Sequence, residues 1–259
     1  MFMFGRQHLD EPAGARGRRA YVVGDIHGRL DLLDELLEKI HADMVARGPR
    51  KTLLVFVGDL IDRGPSSKEV VERLRTYRRE GVRTIFLLGN HEEVLLRILD
   101  GDASLMANWL RFGGAQCLES YGVDPVLLTG LADEQIIDRV RKAIPSEHSE
   151  FLRSFVDTCR FGDYLFVHAG IRPGIELHEQ RQWDLRWIRE PFLLDETHHG
   201  FVVVHGHTIS SEVDERPNRI GIDTGAFATG VLTALGIQGT KRWYLDTRVA
   251  AEAPVSAAH

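Results

Sequence analysis

Short apolar runs alternate with helical segments through the first hundred residues. Ala20–Val23, Thr52–Val57 and Arg83–Leu88 are apolar runs of strand length. Between the first two, apolar residues within 30–45 recur at helical spacing, and a capping-box pattern at Ser66–Glu69 predicts a helix that continues to about residue 79. Strands that alternate with helices in this way favour a parallel sheet with helices packed outside it.

The rest of the chain adds helices first and strands later. Residues from about 101 to 160 show helical patterns and no clear strand, whereas Tyr164–Val167 and Phe201–Val204 are again short apolar runs. Three further apolar runs after Ser210 predict antiparallel strands: 220–222, 231–237 and 243–245. The pattern as a whole predicts a chain of the α/β class.

No linker or repeat divides the chain, so we predict one folded domain over residues 19–248. It carries a helical insertion at about 101–160. Residues 1–18, which are rich in Gly, Arg and Pro, and the Ala-rich residues 249–259 are predicted to be disordered ends.

Composition and charge limit the function classes. The formal net charge of −6 argues against a nucleic-acid partner, since no broad basic face is implied. The N-terminal segment lacks a signal-peptide core, and no apolar run approaches the ~18 residues that span a bilayer. The two cysteines, Cys117 and Cys159, form no metal-type pair. We therefore predict a cytoplasmic protein with no membrane partner.

Polar residues of the types that bind metals follow five of the predicted strands directly. The five loops read Gly24-Asp25-Ile26-His27-Gly28, Gly58-Asp59-Leu60-Ile61-Asp62-Arg63-Gly64, Gly89-Asn90-His91-Glu92, His168-Ala169-Gly170 and His205-Gly206-His207-Thr208. Each motif alone is more often a turn or a core histidine than a site. Because the carboxyl ends of parallel strands share one edge of a sheet, the set together predicts a single functional crevice.

Asp and His side chains without Cys suit Mn²⁺, Fe²⁺ or Zn²⁺. Six side chains of the loops are candidate ligands: Asp25, His27, Asp59, Asn90, His168 and His207. They suffice for two ions if one carboxylate bridges. The two aspartates would cancel only half of the metal charge, and the excess would lower the pKa of a bridging water and attract a phosphate dianion.

These blocks resemble the signature of the phosphoprotein phosphatase (PPP) family of calcineurin-like metallophosphoesterases, over about residues 20–246. That signature reads G-D-x-H-G, G-D-x-x-D-R-G and G-N-H-E, followed by H-[GA]-G and a late histidine. The pattern is most similar to the branch of phage lambda protein phosphatase and bacterial serine/threonine phosphatases. That branch shares the W-x-R-E segment at Trp187–Glu190, the late G-H-T and the I-D-T-G-A segment at Ile222–Ala226. The resemblance implies a β-sandwich of mixed sheets flanked by helices.

The resemblance also implies two metal ions, with Mn²⁺ expected and Fe or Zn as alternatives. One ion would be bound by Asp25, His27 and the bridging Asp59. The other ion would be bound by four residues: Asp59, Asn90, His168 and His207.

Further roles carried over from the family concern phosphate and proton transfer. Arg63 and Arg189, together with Asn90, match residues that bind the substrate phosphate, a role that suits the planar guanidinium fork. His91 matches the general acid, and Asp62 the carboxylate that orients it. The residues themselves agree, because His91 lies beside a predicted ligand but cannot easily point the same way.

The implied activity is hydrolysis of phosphate monoesters, above all in phosphoserine and phosphothreonine proteins. A hydroxide between the two metals would attack phosphorus in line, while His91 and Asp62 assist departure of the alcohol. Regulatory subunits are not expected, because the C-terminal block that engages them in eukaryotic members has no counterpart.

Two other functions stay open. Symmetrical diadenosine tetraphosphate hydrolases of the same family usually read G-D-L-V-A-R-G and G-N-H-D. Asp62 and Glu92 here match the protein-phosphatase form, but H-A-G-I at 168–171 occurs in both branches. A catalytically inactive metal-binding scaffold would predict a missing acid or arginine, and none is missing.

Three local interpretations accompany these predictions. His205 is expected to support the site or the core rather than to bind metal, and Glu92 to hydrogen-bond a neighbour such as Arg63. The Gly-Gly pair in Trp109–Gly114 requires a bend in a helical stretch. It indicates either a lid over the substrate cleft or a plain helix-turn-helix, and the residues alone do not decide between them.

Overall fold

The structure, a computed structural model, describes residues 11–248, and two five-stranded mixed sheets form its centre. The first sheet contains, in spatial order, β10 (Lys241–Asp246), β9 (Thr233–Gln238), β1 (Arg18–Val23), β2 (Lys51–Phe56) and β3 (Val82–Phe86). The second contains β4 (Thr158–Phe161), β5 (Tyr164–Val167), β6 (Val202–His205), β8 (Arg219–Gly221) and β7 (Asp214–Glu215). In the first sheet, β1 to β3 are parallel to one another, and β9 pairs antiparallel with both β1 and β10. In the second sheet, β5, β6 and β8 are parallel, and the edge strands β4 and β7 pair antiparallel with β5 and β8.

Helices cover the outer faces of both sheets. In chain order they are α1 (Leu30–Ala46), α2 (Ser67–Arg75), α3 (Asn90–Leu99), α4 (Met106–Trp109), α5 (Ala115–Ser120), α6 (Asp133–Ala143), α7 (Ser146–Arg153), α8 (Gln182–Trp187) and α9 (Ala226–Thr229). Helices α1 to α7 pack on the first sheet, and α8 packs on the second. Within residues 11–248 no helix has the length and apolarity needed to cross a membrane.

The alternation of side chains along the strands builds separate hydrophobic layers. In β1, Val22 faces the second sheet whereas Tyr21 and Val23 face the helices. Val22 meets Phe166 and Val204 of the second sheet in the layer between the sheets. Because the central strands are buried on both faces, continuous apolar runs such as Ala20–Val23 and Val202–Val204 form most of their length. The predicted α/β fold, a sandwich of mixed sheets flanked by helices, is confirmed.

The helical insertion lies between α3 and β4 and consists of α4 to α7 with short 3-10 turns. It ends earlier than the sequence indicates, because β4 already begins at Thr158 and pairs antiparallel with β5. The sequence of β4, Thr-Cys-Arg-Phe, contains no apolar run by which it could be recognised. Between α4 and α5 the chain bends at Gly113, whose φ of 115° lies in the left-handed region.

The predicted helix 66–79 differs from α2 in two ways. It ends at Arg75, and the side chain of Ser66 makes no capping hydrogen bond, so the predicted capping box is not formed. Ser67 instead accepts a hydrogen bond at Oγ from the backbone N–H of Asp62, at 2.9 Å. The second serine of the pair therefore stabilises the loop that precedes the helix.

Two further predictions need correction. The run at 220–222 contributes to β8, which pairs parallel with β6 and antiparallel only with the two-residue β7. The folded domain also begins before residue 19. The backbone N–H groups of Ala13 and Gly14 donate to Asp163 Oδ2 at 2.9 Å and to the Gly239 carbonyl at 2.8 Å. The rest of the predicted N-terminal disorder, 1–10, and the predicted tail, 249–259, lie outside the described residues.

Candidate metal centre

The five polar loops converge at one edge of the two sheets, as the strand pattern predicts. The backbone N–H groups of Ile26 and His27 both donate to the carbonyl of Asp59, at 3.1 and 2.9 Å, and join the first two loops. The N–H of His207 donates to Asp25 Oδ2 at 3.0 Å, which ties the last loop to the first. Asp25 thus connects the ends of β1 and β6, one strand from each sheet.

Asp59 lies at the centre of the converged loops. Its carboxylate is 3.5 Å from Nε2 of His27 on one side and 3.5 Å from Nε2 of His168 on the other. Two groups of side chains have ligand atoms within 4.8 Å of one another, one made of His27, Asp59 and His91 and the other of Asp59, His168 and His207. Asp59 is the member that both groups share, the position expected of a bridging ligand.

Hydrogen bonds to the backbone orient the histidines toward this centre. His27 and His168 donate through Nδ1–H to the carbonyls of Ile61 and Val57, at 2.8 and 2.9 Å. A neutral imidazole whose Nδ1 carries the proton leaves Nε2 as an acceptor. Nε2 of His168 faces another acceptor, Oδ1 of Asn90, at 2.9 Å. Two acceptors that face each other in a buried place fit a cation between them.

Unpaired polar atoms give a second test of whether these residues suit bound metal ions. Within residues 11–248, Oδ1 of Asp25 and Nε2 of both His27 and His207 are buried without a hydrogen-bond partner. Buried polar atoms are normally satisfied, so unpaired oxygen and imidazole atoms in these loops fit a site that metal ions complete. The oxygen and imidazole donors of the set suit divalent ions.

The electrostatics favour a charged carboxylate among neutral imidazoles. Burial raises the pKa of Asp59, but the neighbouring histidines, His168 foremost, outweigh burial and hold that pKa below its usual range. Burial lowers the pKa of His27 well below its usual range, and it lowers the pKa of His207 to about 3. Metal ligands need this protonation pattern, since carboxylates bind when ionised and imidazoles when neutral.

The buried carboxylate of Glu92 holds two loops together. It accepts backbone N–H groups from Gly89 at 3.2 Å, and from Asp59 and Leu60 at 2.9 and 2.8 Å. Burial and the charge of Asp59 raise the pKa of Glu92 to about 8. These bonds agree with the expectation that Glu92 hydrogen-bonds its neighbours rather than a metal, but the partners are main-chain donors and not Arg63, the neighbour named from the sequence.

Unusual backbone geometry is concentrated at this edge. Five described residues other than glycine have positive φ, and all belong to the site loops: His27, Asp59, Asp62, Arg63 and His207. Such conformations persist where the surroundings over-determine them, and they cluster at functional sites. Gly206 shows how tight the packing is, because a Cβ there would lie 1.9 Å from Oδ1 of Asp25.

His91 and Asp62 form a hydrogen-bonded pair beside the metal candidates. His91 Nδ1–H donates to Asp62 Oδ2 at 2.6 Å, and the guanidinium of Arg63 lies 3.2 Å from His91 Nε2. Burial lowers the pKa of His91, but the charges of Asp59 and Asp62 outweigh burial and raise it to about 9. The imidazolium is therefore the stable form at neutral pH.

A cleft of about 340 Å³ opens directly onto this pair. Its lining comprises Arg63, Asn90, His91, Val94, Leu105, Asn108, Trp109, Phe112, Trp187, Arg189 and His207. The predicted phosphate-binding residues thus share one cleft, and the helical insertion supplies one of its walls. The structure favours the lid interpretation of 109–114 over a helix-turn-helix remote from the site. A larger groove, of about 690 Å³, runs along β3 and contains none of the predicted site residues.

Three side chains at the site were not singled out from sequence. Phe227 lies under the guanidinium of Arg63 at 4.7 Å and against the ring of His27 at 5.5 Å. Trp109 donates through Nε1–H to Asp62 Oδ2 at 2.8 Å. Asp223 is buried, and burial raises its pKa to about 6. Only Asp223 had a sequence signal, since it follows a strand within the I-D-T-G-A segment.

His205 belongs to neither candidate metal group. Its ring packs against Phe192 with the centroids 5.2 Å apart, and its Nδ1–H donates to the carbonyl of Gly206 at 3.0 Å. These contacts agree with the supporting role expected from the sequence.

Known proteins are similar to this chain in sequence and in fold. The sequence profile of the calcineurin-like phosphoesterase family matches residues 18–229. Serine/threonine-protein phosphatase 1 of Salmonella typhimurium is 31% identical over 230 residues, which are 85% of this chain and 93% of the relative. A symmetrical bis(5'-nucleosyl)-tetraphosphatase of Baumannia cicadellinicola is 38% identical over 109 residues, and the match spans about a third of each protein, 36% of this chain and 35% of the relative.

Solved structures agree on the fold. The cold-active protein-tyrosine phosphatase of a Shewanella species superposes with a TM-score of 0.57 at 19% identity, over 88% of this chain and 80% of that one. An identity this low shows the common fold alone. The profile match and the Salmonella relative together cover most of the described residues, and the chain therefore belongs to the calcineurin-like phosphoesterase family.

Proposed function

We propose that this metallophosphoesterase is a phosphoprotein phosphatase that hydrolyses phosphoserine and phosphothreonine monoesters with two divalent metal ions. The observation that carries the proposal is the position of Asp59, which is shared by both metal-binding groups and lies next to the His91–Asp62 pair. A bridged metal pair beside a protonated imidazole is the arrangement that phosphate ester hydrolysis needs. The serine/threonine-protein phosphatase that matches along most of the chain supports the choice of substrate.

The ligand sets are those that the resemblance implies, and the proximity of Asp59 to His27, His168 and His207 supports them. One ion would be held by Asp25, His27 and Asp59, and the other by Asp59, Asn90, His168 and His207. Bound divalent ions supply an activated water and neutralise the charge of the phosphoryl group. Mn²⁺ is the expected ion because of the mixed oxygen and imidazole donors, with Fe and Zn as alternatives.

The remaining residues bind the substrate and move a proton. Arg63, Arg189 and Asn90 line the cleft and would bind the oxygens of the phosphoryl group. Since Nδ1–H of His91 is occupied by Asp62, the proton for the leaving oxygen comes from Nε2, on the side of the ring that faces Arg63. The apolar walls of the cleft exclude water from this transfer.

A second candidate is hydrolysis of dinucleoside tetraphosphates. The aromatic residues Trp109, Phe112 and Trp187 in the cleft wall could stack on a nucleobase, and a symmetrical bis(5'-nucleosyl)-tetraphosphatase matches part of the chain. The presence of Asp62 and Glu92 favours the protein phosphatase. A cytoplasmic location, inferred from the cysteines and the absence of a signal pattern, stays a prediction.

The test is to strip the protein of metal, add back Mn²⁺ and assay three substrates. These are p-nitrophenyl phosphate, a phosphoserine peptide and diadenosine tetraphosphate, each also with Asp59→Asn and with Asp100→Asn as an exposed control. We expect Mn²⁺-dependent cleavage, best on the peptide, that is lost in Asp59→Asn and kept in Asp100→Asn. Preference for the dinucleotide would select the second candidate. No cleavage of any substrate would indicate an inactive metal-binding scaffold.

A further inference from the structure

The helical insertion reaches the acid pair through two hydrogen bonds. Trp109 Nε1–H donates to Asp62 Oδ2 at 2.8 Å, the same oxygen that accepts from His91 Nδ1–H at 2.6 Å. The carbonyl of Gly113 accepts the backbone N–H of Arg63 at 3.0 Å. Trp109 is 3% exposed and Asp62 0%, so water does not compete for these bonds.

The second carboxylate oxygen of Asp62 offers no alternative anchor. Within residues 11–248, Asp62 Oδ1 is buried without a hydrogen-bond partner. The orientation of the carboxylate is therefore set at Oδ2, by His91 and Trp109. Without the indole, the carboxylate would be held by His91, the residue that it is meant to orient, and by the weak thiol donor of the buried Cys117.

The insertion also holds the backbone of the loop that carries Asp62. Asp62 and Arg63 both have positive φ, 72° and 68°, which residues with a Cβ rarely adopt. The hydrogen bond from Arg63 N–H to Gly113 lies on this strained turn. A Cβ on Gly113 would lie 2.5 Å from that same nitrogen, so the contact requires glycine.

The neighbouring glycine makes room for the indole. A Cβ on Gly114 would lie 2.3 Å from Cδ2 of Trp109, so the tryptophan ring lies directly over residue 114. The bend that the Gly-Gly pair allows thus serves two contacts at once, the indole with Asp62 and the carbonyl with Arg63. Both contacts end on the loop that carries Asp62, the orienting member of the acid pair.

We propose that Trp109 is a positioning residue for proton donation by His91, and that the helical insertion thereby sets how well the enzyme expels poor leaving groups. This inference rests on the proposed function. General-acid assistance matters most when the leaving oxygen is basic, as in serine or phenol, and little for p-nitrophenolate. If a variant only misplaces His91, the fall in kcat should therefore be larger for a basic leaving group than for p-nitrophenolate. A variant that disturbs packing or metal binding should lower kcat equally on both substrates.

The test compares Trp109→Phe with the parent Mn²⁺-loaded enzyme on a phosphoserine peptide and on p-nitrophenyl phosphate. We expect kcat to fall roughly 10-fold on the peptide and less than about 2-fold on p-nitrophenyl phosphate. Tyr121→Phe is the matched control, since it removes a hydrogen bond of the insertion to His148 (2.9 Å) that does not reach Asp62. It should affect both substrates equally.

A double-mutant cycle adds a readout that a merely structural role would not produce. In a His91→Asn background, Trp109→Phe should cause no further loss on the peptide, because both changes remove the same proton transfer. Trp109→Leu serves if Trp109→Phe does not fold, since it also keeps an apolar side chain while it removes the indole N–H, and it should give the same dependence on substrate.

Equal losses on both substrates, or a further loss in the His91→Asn background, would overturn the role of Trp109 and leave the proposed function standing. If His91→Asn itself does not discriminate between the substrates, the general acid is assigned wrongly and the role of Trp109 fails with it, whereas Mn²⁺-dependent cleavage of the peptide would still support the proposed function.

Discussion

The metal centre and the helical insertion meet in one cleft, but they are built in opposite ways. The metal centre consists of strand-end loops whose polar residues are buried, oriented by main-chain bonds and held in strained conformations. The insertion consists of short helices whose apolar sides pack on the first sheet, and it reaches the site mainly through one indole, one carbonyl and an apolar wall. We infer from this difference that the strand-end loops supply the reacting groups, whereas the helical insertion forms the surroundings of the leaving group.

The largest loss of activity is expected at Asp59, at the centre of the converged loops. Asp59→Asn should lower kcat on the order of 10³-fold or more for every substrate, because the shared carboxylate would be lost from both metal groups. The bound Mn²⁺ per protein, measured after gel filtration, should fall as well. A single insertion variant with an equally large and substrate-independent loss would contradict the division between the two regions.

The next effect concerns the acid pair, at the boundary between the regions. His91→Asn should lower kcat on a phosphoserine peptide on the order of 10²-fold. The raised pKa of His91, about 9, keeps the proton through neutral pH, so parent activity should decline only as the pH rises through that value. The pH profile of kcat should show no such alkaline decline for the variant. If the decline persists in the variant, a group other than His91 causes it.

A smaller effect is expected at the rim of the cleft. Phe112 is 63% exposed although it lines the cleft, so Phe112→Ala should raise KM for a peptide roughly fivefold, with kcat unchanged, as about 1 kcal/mol of apolar contact is lost. Val126→Ala, at an exposed insertion residue outside the cleft lining, is the control. Equal KM values for the two variants would remove Phe112 from the substrate-binding surface.

The smallest effect on activity is expected deep in the insertion. Tyr121→Phe breaks the hydrogen bond to His148 and should lower the free energy of unfolding by about 1 kcal/mol, measured in urea, with kcat on p-nitrophenyl phosphate kept. A large loss of that activity would mean that the insertion and the metal centre are coupled more tightly than their contacts indicate.

The strand-end motifs were readable from sequence because their chemistry is local. Asp25, Asp59 and His168 each follow an apolar run directly, and the parallel strands bring them to one edge. The resemblance to known signatures added the assignment of family. Strand β4 was missed because Thr-Cys-Arg-Phe has no apolar run, and its pairing with β5 is a tertiary effect.

The contributions of the insertion could not be predicted in the same way. Trp109 and Asp62 are 47 residues apart, and a tryptophan at helical spacing indicates only a buried face. The Gly-Gly pair signalled a bend but not what the bend contacts. Glu92 illustrates the same limit, because the sequence predicts a hydrogen bond to a neighbour but not that the partners are main-chain N–H groups of the preceding loop.

The four hydrogen bonds that Glu92 accepts from backbone N–H groups restrain the motion of two loops relative to each other. These N–H groups belong to Gly89 at the start of α3 and to residues 59–61 of the β2 loop, so these two segments cannot separate without leaving several buried donors unpaired. Asp59 lies on one segment, and Asn90 and His91 on the other. The central carboxylate and the proton donor therefore belong to one rigid unit, and the distance between them is fixed by hydrogen bonds rather than by the packing of the cleft walls.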